Sequence, residues 1–310
     1  MAEKNTGLAG NWDQKVKSKI DGRLTPSQAL DRKKCAVFDF DKTLISGDIG
    51  EAVFAELILS GRIKKMPGFG HEYIDSSQCL HDLCGHYNFL IGCDKALAYQ
   101  WLVSIMEGLT VKDVLDATES VCSGDCCFSY YDDASNKMIH CSSPKPFIEM
   151  QSLIKICQDL VDIEVRVISS SNVISVRYVA ELWFGIKPQN VFGVAPEISP
   201  AFNPSLVFDS QDEYNFSKVA DYKLSGRLSK PVPIYEGKVE FFKGIRDFVL
   251  VAGDSSNDVP MMVEPNGEEY KCLRLWIDYQ GEDTKTLKRS MRGYECSEWL
   301  FQRADMFTIA

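Results

Sequence analysis

Apolar residues follow two rhythms along this chain. Short, nearly unbroken apolar runs fall at residues 36–38, 165–168, 191–194, 249–252 and 272–277. Runs of that length suit strands buried on both faces. Between them, apolar positions recur at helical spacing. The pattern predicts helices from Ile49 to Ile58, from Ala96 to Met106 with Gly108 after it, from Pro146 to Leu160, and from Asn172 to Phe184. Thr110 reads as the cap of another helix, Val111 to Thr118. Strands alternating with helices predict an α/β protein built on a mostly parallel sheet. No internal repeat is visible.

Other stretches read differently. Residues 1–33 are polar and form a leader segment, in which Trp12, Val16 and Ile20 fall at helical spacing. A docked amphipathic helix is expected there, and Thr25-Pro26 reads as the start of a second one. Residues 123–143 are turn-rich and suit a small hairpin. Residues 195–237 are rich in Pro, Ser and Asp, and alternation across Ser217–Leu224 suggests a second hairpin. Cys272–Ile277 reads as the last core strand.

The chemistry sits where the apolar runs stop. The first run delivers Asp39, Asp41 and Thr43, which alternate on an extended segment and so project to one side. The run at 249–252 ends in Gly253, Asp254, Asn257 and Asp258. Carboxylates crowded together raise one another's pKa unless a charge neutralises them. A hard divalent cation with oxygen ligands does this, and Mg²⁺ is expected. Open parallel sheets place their ligands at the carboxyl ends of strands, so two acidic strand ends suit one metal site. A third run ends in hydroxyls, Ser169-Ser170-Ser171, and Lys238 opens an apparent helix before the second acidic strand, with Lys230 and Lys243 as its competitors.

Composition narrows the classes. The chain has 310 residues, 45% of them hydrophobic, enough for a large core. With 44 acidic against 34 basic residues its net charge is −10, which argues against a nucleic-acid surface. No apolar stretch is long enough to span a bilayer, and the first residues lack a signal-peptide pattern, so a cytoplasmic location is expected. The 11 cysteines form no short secreted framework and read as thiols. The groups Cys79, His81, Cys84, His86 and Cys122, Cys126, Cys127, His140, Cys141 lack paired CxxC spacing and read as ordinary cap and loop residues.

Asp39-Phe-Asp41-Lys-Thr43, Ser169, Lys238 and Gly253-Asp254-Ser-Ser-Asn257-Asp258, in that order, resemble the four motifs of the haloacid dehalogenase (HAD) superfamily of phosphatases. The match covers roughly residues 34 to 276. Lys42 stands where a small residue is frequent, at a variable position. The resemblance implies a Rossmann-like core (34–45 and 146–310) with a mostly helical cap inserted after the first strand (46–145), as in the phosphoserine-phosphatase-like subgroup. It implies that Asp39 is a nucleophile forming an aspartyl-phosphate and that Asp41 is the acid and base. Mg²⁺ would be held by Asp39, the Asp41 carbonyl and Asp254, with Asp258 bonding metal-bound water. Thr43, Ser169, Ser170, Lys238 and Asn257 would hold phosphate.

The loop string Gly47-Asp48-Ile-Gly-Glu51-Ala is similar to that of phosphocholine-phosphatase-type relatives. So are Tyr99-Gln-Trp101, Gly108-Leu-Thr110, Glu236-Gly-Lys238-Val and Glu298-Trp299-Leu-Phe-Gln302. The expected substrate is a small phosphorylated metabolite, with Asp48, Glu51, Tyr99 and Trp101 choosing the leaving group. Between residues 46 and 145 there are ten aromatics but one arginine, Arg62. Aromatic faces with a nearby acid suit a quaternary or primary ammonium, as in phosphocholine or phosphoethanolamine. Phosphoserine would need Arg62 at the site to take its carboxylate. A non-catalytic interaction protein on the same fold is the alternative of another class, and the intact motif residues disfavour it.

Overall fold

The structure is a computed structural model that describes residues 7–24, 34–65, 75–124, 127–132, 136–159, 163–198, 219–242, 248–264, 272–290 and 299–310. Six strands form its central sheet: β1 (Lys34–Phe38), β6 (Ile163–Asn172), β7 (Val191–Val194), β10 (Phe248–Gly253), β11 (Leu273–Asp278) and β12 (Trp299–Arg303). The order across the sheet is β12-β11-β10-β1-β6-β7, and every neighbouring pair is parallel. β10 is buried at all six positions, as a strand covered on both faces must be. From β1 the chain builds outward to β6 and β7 on one side. It later returns to β10, on the other side of β1, and builds out to β12. The order therefore reverses between β1 and β10, and the crevice beyond their carboxyl ends is where such sheets hold ligands.

Between β1 and β6 the chain makes an excursion. β2 (Ile45–Ser46) leads out and pairs antiparallel with β5 (Lys145–Pro146), which leads back. Between them come α2 (Ile49–Leu59), α3 (Ser76–Cys93), α4 (Lys95–Ile105), α5 (Val111–Ser123) and the hairpin of β3 (Cys127–Asp132) with β4 (Lys137–Ser142). α2 buries seven of its eleven residues because it packs against both α3 and α5. Thr110 and Asp113 form a reciprocal capping box at the start of α5. α6 (Ile148–Asp159) and α7 (Val173–Phe184) then flank the sheet.

The leader is docked. α1 (Gln14–Arg23) buries Val16 and Ile20, and Trp12 lies just before it, edge-on to Phe307 at 5.4 Å. The fully buried Glu149 accepts from the backbone N–H of both Asn11 (2.6 Å) and Thr308 (2.9 Å), tying the two end segments together. The helix start at Thr25-Pro26 lies outside the described residues.

Two expectations change. Cys272–Ile277 is not the last core strand: β12 adds a sixth, with Leu300 and Gln302 facing inward. The described part of Ser217–Leu224 is not a hairpin; residues 219–222 turn into β9 (Leu224–Leu228), which pairs with β8 (Pro196–Ile198). β6 carries Ser169, Ser170 and Ser171 and runs on to Asn172, whose side chain caps α7 where the sequence places that helix start. No described helix is long and apolar enough to cross a membrane.

Candidate active site

Asp39 is the first residue past β1, and its N–H bonds the carbonyl of Ala252 on β10, fixing it beside the second acidic strand end. The chain then turns sharply, with Lys42 at φ +59°. After β10, Gly253 lets the chain pass directly over Asp258: a Cβ there would meet the Asp258 Cβ at 2.5 Å. Asp258 Oδ2 in turn accepts from the N–H groups of Asp254 (3.1 Å) and Ser255 (3.0 Å) and from the Ser255 hydroxyl. Lys238 comes from a four-residue helix, α8 (Glu236–Val239), and reaches in with 1% of its surface exposed. Its Nζ lies 2.7 Å from Asp39 Oδ1 and 2.5 Å from Asp258 Oδ1.

This is a buried ion triad with a third carboxylate, Asp254, beside it. Burial, followed by the charge of Asp258, raises Asp39 to about 7 despite Lys238. Asp254 is pushed up by burial, then by Asp258 and Asp39. Burial alone would lower Lys238, but Asp258 and Asp39 hold it above its ordinary value. Lys238, and Lys42 toward Asp254, offset only part of this charge, so carboxylates this crowded call for more positive charge. Oxygens of Asp39, Asp254 and Asp258 lie within 4.8 Å of one another. The buried Asn257 Oδ1, which lines the same cavity, has no hydrogen-bond partner. An all-oxygen donor set with an orphaned acceptor beside it fits a hydrated Mg²⁺. Both Asp258 oxygens are engaged by protein donors, so Asp258 braces Lys238 and the 253–255 turn.

Asp41 lies deeper. Its Oδ1 accepts from the Ile49 N–H at 2.6 Å, and its Oδ2 from the hydroxyls of Ser171 (2.7 Å) and Ser169 (3.2 Å). Burial, then the charges of Asp48 and Asp39, raises Asp41 well above the usual carboxylate range. Ser169 is fully buried and engaged with Asp41, and Ser170 and Ser171 are the hydroxyls that line the cavity. The Ser170 hydroxyl donates to the carbonyl of Pro233. Thr43 is likewise fully buried, and its hydroxyl donates to Asp254 Oδ1 at 3.3 Å.

The cavity above these groups measures about 490 Å³. Asp48, Glu51, Tyr87 and Tyr99 form its cap side, with Lys42 and Lys95. Tyr279, whose hydroxyl donates to the Lys42 carbonyl, and Asp283 form its rim after β11. Glu51 is raised to about 7 by Asp48 and by burial. Burial pushes the Tyr87 and Tyr99 phenols up. A smaller recess leads off between Tyr99, Leu102, Val103, Met106 and Val194.

One cap expectation is not met. Trp101 does not line the cavity; it packs edge-on to Phe54 at 6.1 Å and against His86 at 4.9 Å. Arg62, which phosphoserine would need at the site, is held by Asp113 (3.1 Å) and Asp116 (3.4 Å), and among the described residues no arginine lines the cavity. Sequence reading missed Ser171 as a partner of Asp41, and also Lys95 and Tyr279 as lining residues. Ser171's place two residues after Ser169 was the one available signal.

No family model matches the chain, and no curated protein matches it. Solved structures do. A conserved protein of unknown function from Anaerococcus prevotii is 15% identical, over 98% of each chain, with a TM-score of 0.65. A protein of unknown function from Bordetella pertussis is 15% identical, over 87% of this chain and 98% of its own, with a TM-score of 0.56. These two share the fold of this chain.

Proposed function

We propose that the protein is a Mg²⁺-dependent phosphomonoester hydrolase of the HAD type that works through an aspartyl-phosphate on Asp39. The observation that carries this reading is the Lys238 ammonium, buried between Asp39 and Asp258 on the floor of an open cavity. A structural ion pair needs no cavity above it. A nucleophilic carboxylate beside a phosphate site needs a fixed cation to hold it ionised.

Asp39 attacks phosphorus, the bond to the leaving oxygen breaks, and Asp41 gives that oxygen its proton. In the second half, Asp41 takes a proton from water as the water oxygen bonds phosphorus, and the Asp39 carboxylate is released. Lys238, the Ser170 hydroxyl and the Asn257 side chain hold phosphate oxygens. Thr43 orients Asp254, and Asp258 orients Lys238. Asp39, Asp254 and the Asp41 carbonyl would hold Mg²⁺, which when bound would supply the charge neutralisation that an anionic nucleophile and an anionic ester both need.

The leaving group we assign is a small cationic alcohol, with phosphocholine and phosphoethanolamine as the type substrates. Acids outnumber bases among the lining residues, and Asp48, Glu51, Tyr87 and Tyr99 surround the cap side. Aromatic faces with a nearby carboxylate attract an ammonium group. A phosphoserine carboxylate finds no guanidinium among the described lining residues, because Arg62 is paired elsewhere. Phosphate release from a panel of phosphomonoesters, with Mg²⁺ and with excess chelator, tests the reading. Metal-dependent release led by the cationic esters supports it. Equal release in chelator contradicts the metal role, and a lead for phosphoserine or a sugar phosphate contradicts the leaving-group assignment.

A further inference from the structure

The Asp41 carboxylate is clamped from two sides by segments far apart in the chain. One clamp is the Ile49 N–H at the first turn of α2, which bonds Oδ1; the other is the Ser171 hydroxyl at the end of β6, which bonds Oδ2 at 2.7 Å. The Ser169 hydroxyl backs the second at 3.2 Å. Ser171 is 7% exposed and lines the cavity, so it stands at the boundary between the acid and the substrate space.

Gly50 is shaped to this hydroxyl. A Cβ at Gly50 would lie 2.6 Å from Ser171 Oγ and 3.1 Å from Ser171 Cβ. The backbone of Gly50 has no positive φ, so no conformational demand explains a glycine inside α2, where alanine is the better helix former. The space it leaves is the space the Ser171 hydroxyl occupies.

We propose that Ser171 is a positioning residue for Asp41, and that Gly50 serves it by keeping room for its hydroxyl. The inference rests on the phosphatase reading and on Asp41 as its proton donor. With Oδ1 fixed by the backbone and Oδ2 by Ser171, the carboxyl plane cannot rotate. Its proton is then presented to the leaving oxygen in one orientation. When the P–O bond breaks, the electron pair goes to that oxygen and the Asp41 proton follows. An alkyl ester needs this proton because an alkoxide leaves poorly. A dinitrophenyl ester does not, because its phenolate is stable.

The test compares kcat/KM, which covers the steps up to formation of the aspartyl-phosphate, for an alkyl phosphate and for 2,4-dinitrophenyl phosphate in the Mg²⁺-loaded enzyme. Ser171→Ala should lower the alkyl value by about tenfold or more and the dinitrophenyl value by less than about twofold. Gly50→Ala, which keeps the hydroxyl but displaces it, should show the same selective loss with thermal stability undiminished. It supplies the measurement if Ser171→Ala does not fold. Equal losses on both esters would assign Ser171 a general structural role and overturn the proposal, as would no loss on either. Failure of the wild type to hydrolyse either ester would be a different result, overturning the phosphatase reading itself.

Discussion

Replacing Lys238 by methionine removes one buried charge and keeps most of the volume. In the wild type the ammonium, 1% exposed, neutralises Asp39 at 2.7 Å and Asp258 at 2.5 Å. Breaking a buried ion pair by deleting one partner costs about 3–5 kcal/mol, because the other charge stays buried without compensation. Two carboxylates are stranded here, with Asp254 adding to the repulsion, so the upper end of that range applies when all are ionised. The carboxylates escape part of the cost by taking up protons. Asp39 is already raised to about 7 with the lysine present, and it rises further without it. A carboxyl raised in the folded state keeps its stability below its unfolded pKa and loses it as pH rises through the folded one. The Lys238→Met deficit should therefore be about 4–5 kcal/mol at pH 8 and clearly smaller at pH 5. Urea unfolding of both proteins in chelator at the two pH values measures it. A deficit below about 1 kcal/mol at pH 8, or one that does not shrink toward pH 5, would refute the reasoning, since an exposed pair costs no more than that.

Three further outcomes are expected. The metal-free protein should lose stability as pH rises from about 4 to about 7, because Asp39 and Glu51 are both raised to about 7; Mg²⁺ at about a hundredfold over its Kd should restore about 2.7 kcal/mol, and thermal melts that show no Mg²⁺ effect at pH 8 would contradict the metal site. Asp48→Asn should erode the preference for phosphocholine over a neutral aryl phosphate by about tenfold in kcat/KM, about 1.4 kcal/mol, while sparing the aryl ester; equal loss on both would show that Asp48 does not face the leaving group. Arg62→Ala should leave the ranking of esters unchanged and cost at most about 1 kcal/mol of stability, because its two ion pairs are partly exposed; a changed ranking in the ester panel would bring Arg62 back to the site.

The sequence made some of this visible for definite reasons. Asp39 and Asp41 could be placed because alternation past a buried run puts both at one strand end, and Asp254 and Asp258 because a second run ends the same way. Strand order then makes β1 and β10 neighbours, which the sequence alone does not state. Lys238 was legible by its place in the order of motifs, but its burial between two carboxylates was not. β12 was missed because Trp299-Leu-Phe-Gln302 is short and its alternation is hard to tell from a loop. Trp101 was misplaced because an aromatic on a cap helix can face the cavity or the neighbouring helix, and here Phe54 and His86 take it. Ser171 and Gly50 were out of reach because they touch across about 120 residues of chain.

The central claim is covalent: phosphate passes through Asp39. Mixing the enzyme with a radiolabelled phosphomonoester and Mg²⁺, quenching in acid within the first turnover and mapping the label by peptide addresses it directly. The expected result is acid-stable label on the peptide that contains Asp39, lost in Asp39→Asn together with turnover. Steady turnover with no label on the protein, and with Asp39→Asn within about tenfold of wild type, a barrier change of only about 1.4 kcal/mol, would contradict it.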